Sequence, residues 1–200
     1  MSLRRNVVGG LAVVGALALA LAVGGGLYGL AVARRGFSAR EEPSALEAKV
    51  ARAARGFSMP ERARGLKNPL EPLSPQALAE ARAHWGDHCA ICHAADGSGQ
   101  TPIGQGLYPR APDMRAAPTQ GMSDGELYWV IQNGIRLTGM PAWGQAHEEE
   151  GNDDSWALVG LIRRLPRLSL EELNEIKAAQ PQSKHELDET RIEDEFLDAQ

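Results

Sequence analysis

The longest pattern along the chain is unbroken and apolar. From Val7 to Ala33 there is no charged residue, and Leu, Val, Ala and Gly fill nearly every position. A helix of that length crosses the hydrocarbon core of a bilayer. Arg4 and Arg5 precede the segment and Arg34 and Arg35 follow it, so charge bias alone does not orient it. The alternative is a cleaved signal peptide with Leu11–Val23 as its apolar core and Ala31-Val32-Ala33 as its small-x-small cleavage site. The length of the run favours an uncleaved anchor. Arg4-Arg5 is also a weak twin-arginine export signal.

Beyond Arg35 the apolar positions become helical and intermittent. Ser44 and Glu47 form a capping box for a short helix to about Arg55, with Gly56 as its stop. Pro69, Pro72 and Pro75 predict a stiff, extended stretch, which would serve as a stalk or a passive spacer. Ser74 as N-cap and Pro75 at the first helical position open a helix with Leu78, Ala81, Arg82 and Trp85 on one face, ending at Gly86. Ala94–Thr119, rich in Gly and Pro, predicts a long loop. A second capping box, Ser123 to Glu126, opens a helix with Leu127, Val130 and Ile131 on its apolar face and Asn133-Gly134 as its stop. Trp156, Val159, Leu161, Ile162 and Leu165 predict an amphipathic helix whose start Asp153 and Asp154 favour. Ser169 and Glu172 cap a shorter helix ending near Ala179. The expected organisation is therefore residues 1–6 as a cytoplasmic N-terminus, 7–33 as a transmembrane anchor, 34–73 as juxtamembrane connector, 74–166 as an all-α domain and 167–200 as an acidic extension. From Gln180 the composition predicts a disordered or loosely helical tail.

Charge sharpens this division. The net charge of −5 over 200 residues is distributed as +2 over residues 1–33, +4 over 34–73, −5 over 74–166 and −6 over 167–200. A basic stretch beside an apolar span suits anionic lipid. The acidic remainder argues against nucleic acid as a partner.

The candidate chemistry lies in Cys89-Ala90-Ile91-Cys92-His93. It reads C-x-x-C-H, the spacing of covalent c-type haem attachment, in which each thiol adds to a vinyl group and the histidine ligates the iron. These are the only two cysteines, so one haem c per chain is expected. A zinc site would need four ligands, with only His84, His88, His93, His147 and His185 available to complete it. A dithiol redox pair usually accompanies a βαβ pattern, which does not occur here.

Met140 is the candidate sixth ligand. It stands between Gly139, which lets the backbone approach a ring, and Pro141, which stiffens the loop. A neutral thioether favours ferrous iron and raises the reduction potential. Met114 and Met122 are its rivals, and His147 is a weaker one. Bacterial c-type haem is attached outside the cytoplasmic membrane, which places the body of the chain in the periplasm or at the cell exterior.

The order of parts over residues 74–166 resembles a class I, mitochondrial-type cytochrome c domain: a helix into C-A-I-C-H, a Gly/Pro loop, a middle helix, a G-M-P loop and a C-terminal helix. With the Val7–Ala33 segment, the closest likeness is to membrane-anchored one-haem cytochromes of bacteria. The resemblance implies an all-α fold of three to four core helices around one haem. It implies a proline carbonyl that orients the proximal histidine, for which Pro109 and Pro112 both qualify. Trp143, Arg136 and Tyr108 are candidates for lining the haem or holding its propionates. The expected function is electron transfer between redox partner proteins in a periplasmic respiratory chain, without catalytic residues. The first alternative is a haem-relay subunit of a terminal oxidase or periplasmic dehydrogenase. The second is a haem-based sensor or peroxidase with an open iron.

Overall fold

The computed structural model describes residues 2–36, 38–144 and 153–182. The chain divides into two compact units, residues 1–39 and 40–200. The first is a single helix, α1 (Ser2–Arg35). Its stretch Gly9–Arg35 has a mean hydropathy of 2.1 and is long and apolar enough to cross a membrane.

The second unit is all-helical among its described residues. Its elements are α2 (Ala45–Ser58), α3 (Glu61–Gly65), α4 (Pro75–His84), a π turn (Trp85–Cys89), α5 (Ala90–His93), α6 (Pro102–Gly106), α7 (Ala117–Gln120), α8 (Asp124–Asn133), α9 (Asp153–Arg164), a 3-10 turn (Leu165–Arg167) and α10 (Leu170–Ala178). Several start where side-chain acceptors meet free backbone N–H groups. Ser74 Oγ accepts from Ala77 N at 3.1 Å. Ser123 with Glu126 and Ser169 with Glu172 form complete capping boxes. Gly134, at φ +64°, ends α8 as expected.

The core is built on α9. It was expected to be amphipathic, yet every residue from Ser155 to Ile162 is buried. The reason is that α4 and α8 pack on it and the preceding connector covers more of it. Asn68 Nδ2 donates to the Trp156 carbonyl at 2.9 Å. Leu73 lies against Gly160, where an added Cβ would come within 2.3 Å of Leu73 Cδ1. The sequence has Pro69 and Pro72 here, which predict extended backbone. The chain is indeed irregular, but it is docked rather than standing free as a stalk. α3 also meets α8, with the Ala63 carbonyl occupying the space a Cβ on Gly125 would need.

Three further expectations differ from the structure. α2 runs through Gly56 to Ser58, since one glycine lowers helix propensity without terminating the helix; Met59 caps it and Pro60 follows. The helix from Pro75 does not stop at Gly86 but widens into the π turn and continues to His93. The 94–119 loop contains two short helices, α6 and α7. α10, the first part of the acidic extension, packs on α4 and the π turn. Ile176 is fully buried there, Gly86 leaves room for its carbonyl, and Arg82 pairs with Glu172 at 3.6 Å and Glu175 at 2.5 Å. The tail from residue 183 lies outside the described residues.

Candidate haem-attachment site

The attachment pentapeptide sits at a break in helical geometry. The π turn carries His88 and Cys89, and α5 carries Cys92 and His93. α5 stops at Ala94, whose backbone adopts φ +63°, a left-handed value that costs a non-glycine residue about 1–3 kcal/mol. Three hydrogen bonds hold it. Ala94 N donates to Ala90 O at 2.9 Å, Gly97 N donates to Ala94 O at 3.1 Å, and the buried Trp85 indole donates to Ala94 O at 3.1 Å. Trp85 therefore has the packing role read from its helical face, and also fixes the backbone beside His93.

The loop after His93 folds back on the pentapeptide. Gly99 N donates to His93 O at 2.8 Å. Thr101 Oγ1 donates to Ile91 O at 2.7 Å and accepts from Gly104 N at 2.8 Å. A Cβ on Gly104 would stand 2.1 Å from the Cys92 carbonyl oxygen, so only glycine lets α6 approach this closely.

Burial sets the protonation of the donor groups. Burial raises the Cys89 thiol to about 12 and also raises Cys92, so both sulfurs carry protons. Burial lowers the His93 pKa, favouring a neutral imidazole with a free lone pair. Its Nδ1 is buried without a hydrogen-bond partner, which is rare in a finished interior. An orphaned ring nitrogen beside two unpaired thiols fits a covalent haem with His93 on the iron. Exposed apolar side chains fit it too. Ile91 of α5, Ile103 of α6, and Leu137 and Trp143 of the Met140 loop are 41–93% exposed, the kind of surface a flat apolar macrocycle covers.

Met140 lies on the loop after α8. Ile135 N donates to Met140 O at 3.1 Å, and Thr138 Oγ1 accepts from Met140 N at 3.1 Å. Trp143 N and Gly144 N donate to Ile131 O and Gln132 O at 3.0 and 3.1 Å, returning the loop to α8. Gly139 sits against Leu107 of the long loop, where a Cβ would approach Leu107 Cδ2 to 2.6 Å. The Met140 loop and the post-attachment loop are thus in contact. The rivals are engaged elsewhere: Met114 and Met122 both pack on the hydrophobic core. His147 lies outside the described residues.

The other candidates have their own surroundings in the structure. The Tyr108 hydroxyl donates to the Glu47 carboxylate, and Arg136 is exposed. Trp143 stacks on His88. Neither the Pro109 nor the Pro112 carbonyl bonds to His93 Nδ1. Pro112 lies in the strand of chain against Gly99, one hydrogen bond away from the His93 backbone. Sequence reading missed His88, which has no motif signal beyond being adjacent to Cys89, and Leu107, whose partner across 32 positions only folding reveals.

This fold and this donor set define a cytochrome c domain preceded by an apolar helix. Residues 76–160 match the family model described as cytochrome c oxidase, cbb3-type, subunit III, and the match spans both α4 and most of α9. No curated protein matches the chain. The chemistry of such a domain is haem-based electron transfer: the bound haem supplies an iron that gains or loses one electron. In such a domain Cys89 and Cys92 would retain the group and His93 would present its imidazole to the iron.

Proposed function

We propose that this chain is a membrane-anchored cytochrome with one covalent haem c, held by Cys89 and Cys92 and ligated by His93 and Met140. It passes electrons between redox partner proteins outside the bacterial cytoplasmic membrane, as a link in a respiratory chain. The observation that carries this reading is the Met140 loop, fastened to the end of α8 and seated on Leu107, while the other described methionines near the site serve the core. An iron with both axial positions filled has no place for substrate, which leaves electron transfer. The test is the spectrum of the reduced protein with and without carbon monoxide. An unchanged spectrum supports a carrier, whereas prompt binding supports a sensor or peroxidase.

A second reading is a haem-relay subunit inside a terminal oxidase. It is favoured by the matched family's description, which is that of an oxidase subunit. Purification in mild detergent separates the two, because a relay subunit keeps its complex and a free carrier leaves it.

A further inference from the structure

We propose that α2 lies in the surface of an anionic lipid bilayer, with Leu46, Val50 and Phe57 at the boundary between headgroups and acyl chains. The inference rests on the reading of α1 as a membrane anchor. No residue of α2 is buried, and Leu46, Val50 and Phe57 are 71%, 58% and 92% exposed. With about 100° per residue, these three and Ala53 fall within about 60° of one another. Scattered exposed apolar residues are ordinary, but three large ones in helical register form a patch that calls for a partner.

The protein's own core does not use that face. The half-buried positions of α2 are Ala48 and Arg55, on the opposite side of the helix. Glu47 accepts from the Tyr108 hydroxyl, and the Gly56 carbonyl accepts from Arg64. α2 is therefore tied to its unit on one side and presents the apolar stripe on the other.

Charge and tether select lipid as the occupant. Residues 34–73 carry nine basic against five acidic residues; Lys49 and Arg52 are exposed, Lys49 at the flank of the stripe and Arg52 farther round on the polar side. Only residues 36–44 separate α1 from α2, and such a stretch spans at most about 30 Å when fully extended. A membrane holding α1 is thus always within reach of α2, at high effective concentration. A helix with Leu, Val and Phe on one face and Lys and Arg on its polar surface partitions into that boundary, and anionic headgroups attract its cations. Through Tyr108–Glu47 and Arg110–Glu42, lipid contact at α2 would restrain the haem domain rather than leave it swinging.

The test uses full-length holoprotein in phosphatidylcholine vesicles with and without phosphatidylglycerol. A nitroxide is placed on a cysteine introduced at Val50, Phe57, Leu17 or Lys177, Cys89 and Cys92 being consumed by the haem. Collision rates with oxygen and with a water-soluble nickel chelate are then measured. The expected oxygen-to-nickel ratio at Val50 and Phe57 is several-fold above that at Lys177. It should fall in the K49Q/R52Q variant or without phosphatidylglycerol. If Leu17 reads as bilayer core while Val50 and Phe57 read as water, the proposal is wrong and the anchor stands. If both are shielded from both probes, protein covers the stripe and the proposal is again wrong. If Leu17 itself reads as water, the anchor reading falls and takes this proposal with it.

Discussion

The imidazole of His88 lies on the indole of Trp143, with ring centroids 5.5 Å apart and planes 12° from parallel. His88 immediately precedes the first attachment cysteine, and Trp143 follows Met140 by three positions. The stack therefore links the segment of the C-x-x-C-H motif to the loop that carries the candidate distal ligand. His84 meets His88 edge-on at 5.0 Å and supports it from the previous turn.

Removing this link should loosen Met140 without unfolding the domain. A stacked aromatic pair is worth about 0.5–1.5 kcal/mol. His88→Ala should thus raise the population of the open loop by roughly two- to tenfold, seen as faster carbon monoxide binding and a weaker iron–sulfur band. His88→Phe keeps a ring in place and should restore both. Equal loss in the two variants would show that stacking is not what matters.

Attachment should depend on both thiols and on the space beside them. Cys89→Ala or Cys92→Ala should weaken or abolish the haem-stained band on a denaturing gel. Gly104→Ala should also lower haem retention, because its Cβ would displace the Cys92 carbonyl from 2.1 Å. Iron analysis of the exported protein should give one iron per chain; zinc in its place would contradict the site assignment.

The docked connector should contribute to stability. Gly125→Ala would drive a methyl into the Ala63 carbonyl, 1.8 Å from the ideal Cβ position, and overpacking of this kind costs about 1–3 kcal/mol. Urea unfolding followed by circular dichroism measures the loss. An unchanged midpoint would mean that residues 59–73 hold on loosely.

Acid should weaken the docking of α10. The Ser169 backbone N–H, with Arg164 beside it, holds the Glu172 carboxyl below its ordinary value of 4.5. A depressed carboxylate contributes stability that is present above 4.5 and lost as pH falls toward its lower folded value. Wild type should therefore lose stability below about pH 4.5 more steeply than Glu172→Gln, in urea titrations run across that range.

Most of the local structure was legible in the sequence. Ser74, Ser123, Ser169 and Gly134 mark helix ends by side-chain chemistry and backbone freedom alone, and the structure places ends at those residues. C-A-I-C-H was equally plain as a motif, because its spacing is the one that covalent haem attachment uses. What was not legible depends on distant contacts. The docking of 59–73 needs Gly125 and Gly160 as landing places, and the all-round burial of α9 follows from it. The π turn is invisible to a periodicity of 3.6, since Trp85 satisfies the helical face before the extra residue enters. The stack of Trp143 on His88 joins residues 55 positions apart with no shared motif.

The central claim is that Met140 closes the iron opposite His93. It is tested most directly by the ferric near-infrared spectrum and reduction potential of Met140→Ala beside Met114→Ala and Met122→Ala. Loss of the thioether in Met140→Ala should abolish the weak iron–sulfur band. It should also lower the potential by on the order of 0.1 V, within the ~0.8 V range that axial ligands command. The two core variants should keep both properties and lose only stability. If Met140→Ala left band and potential unchanged while Met114→Ala or Met122→Ala removed them, the ligand assignment would be contradicted.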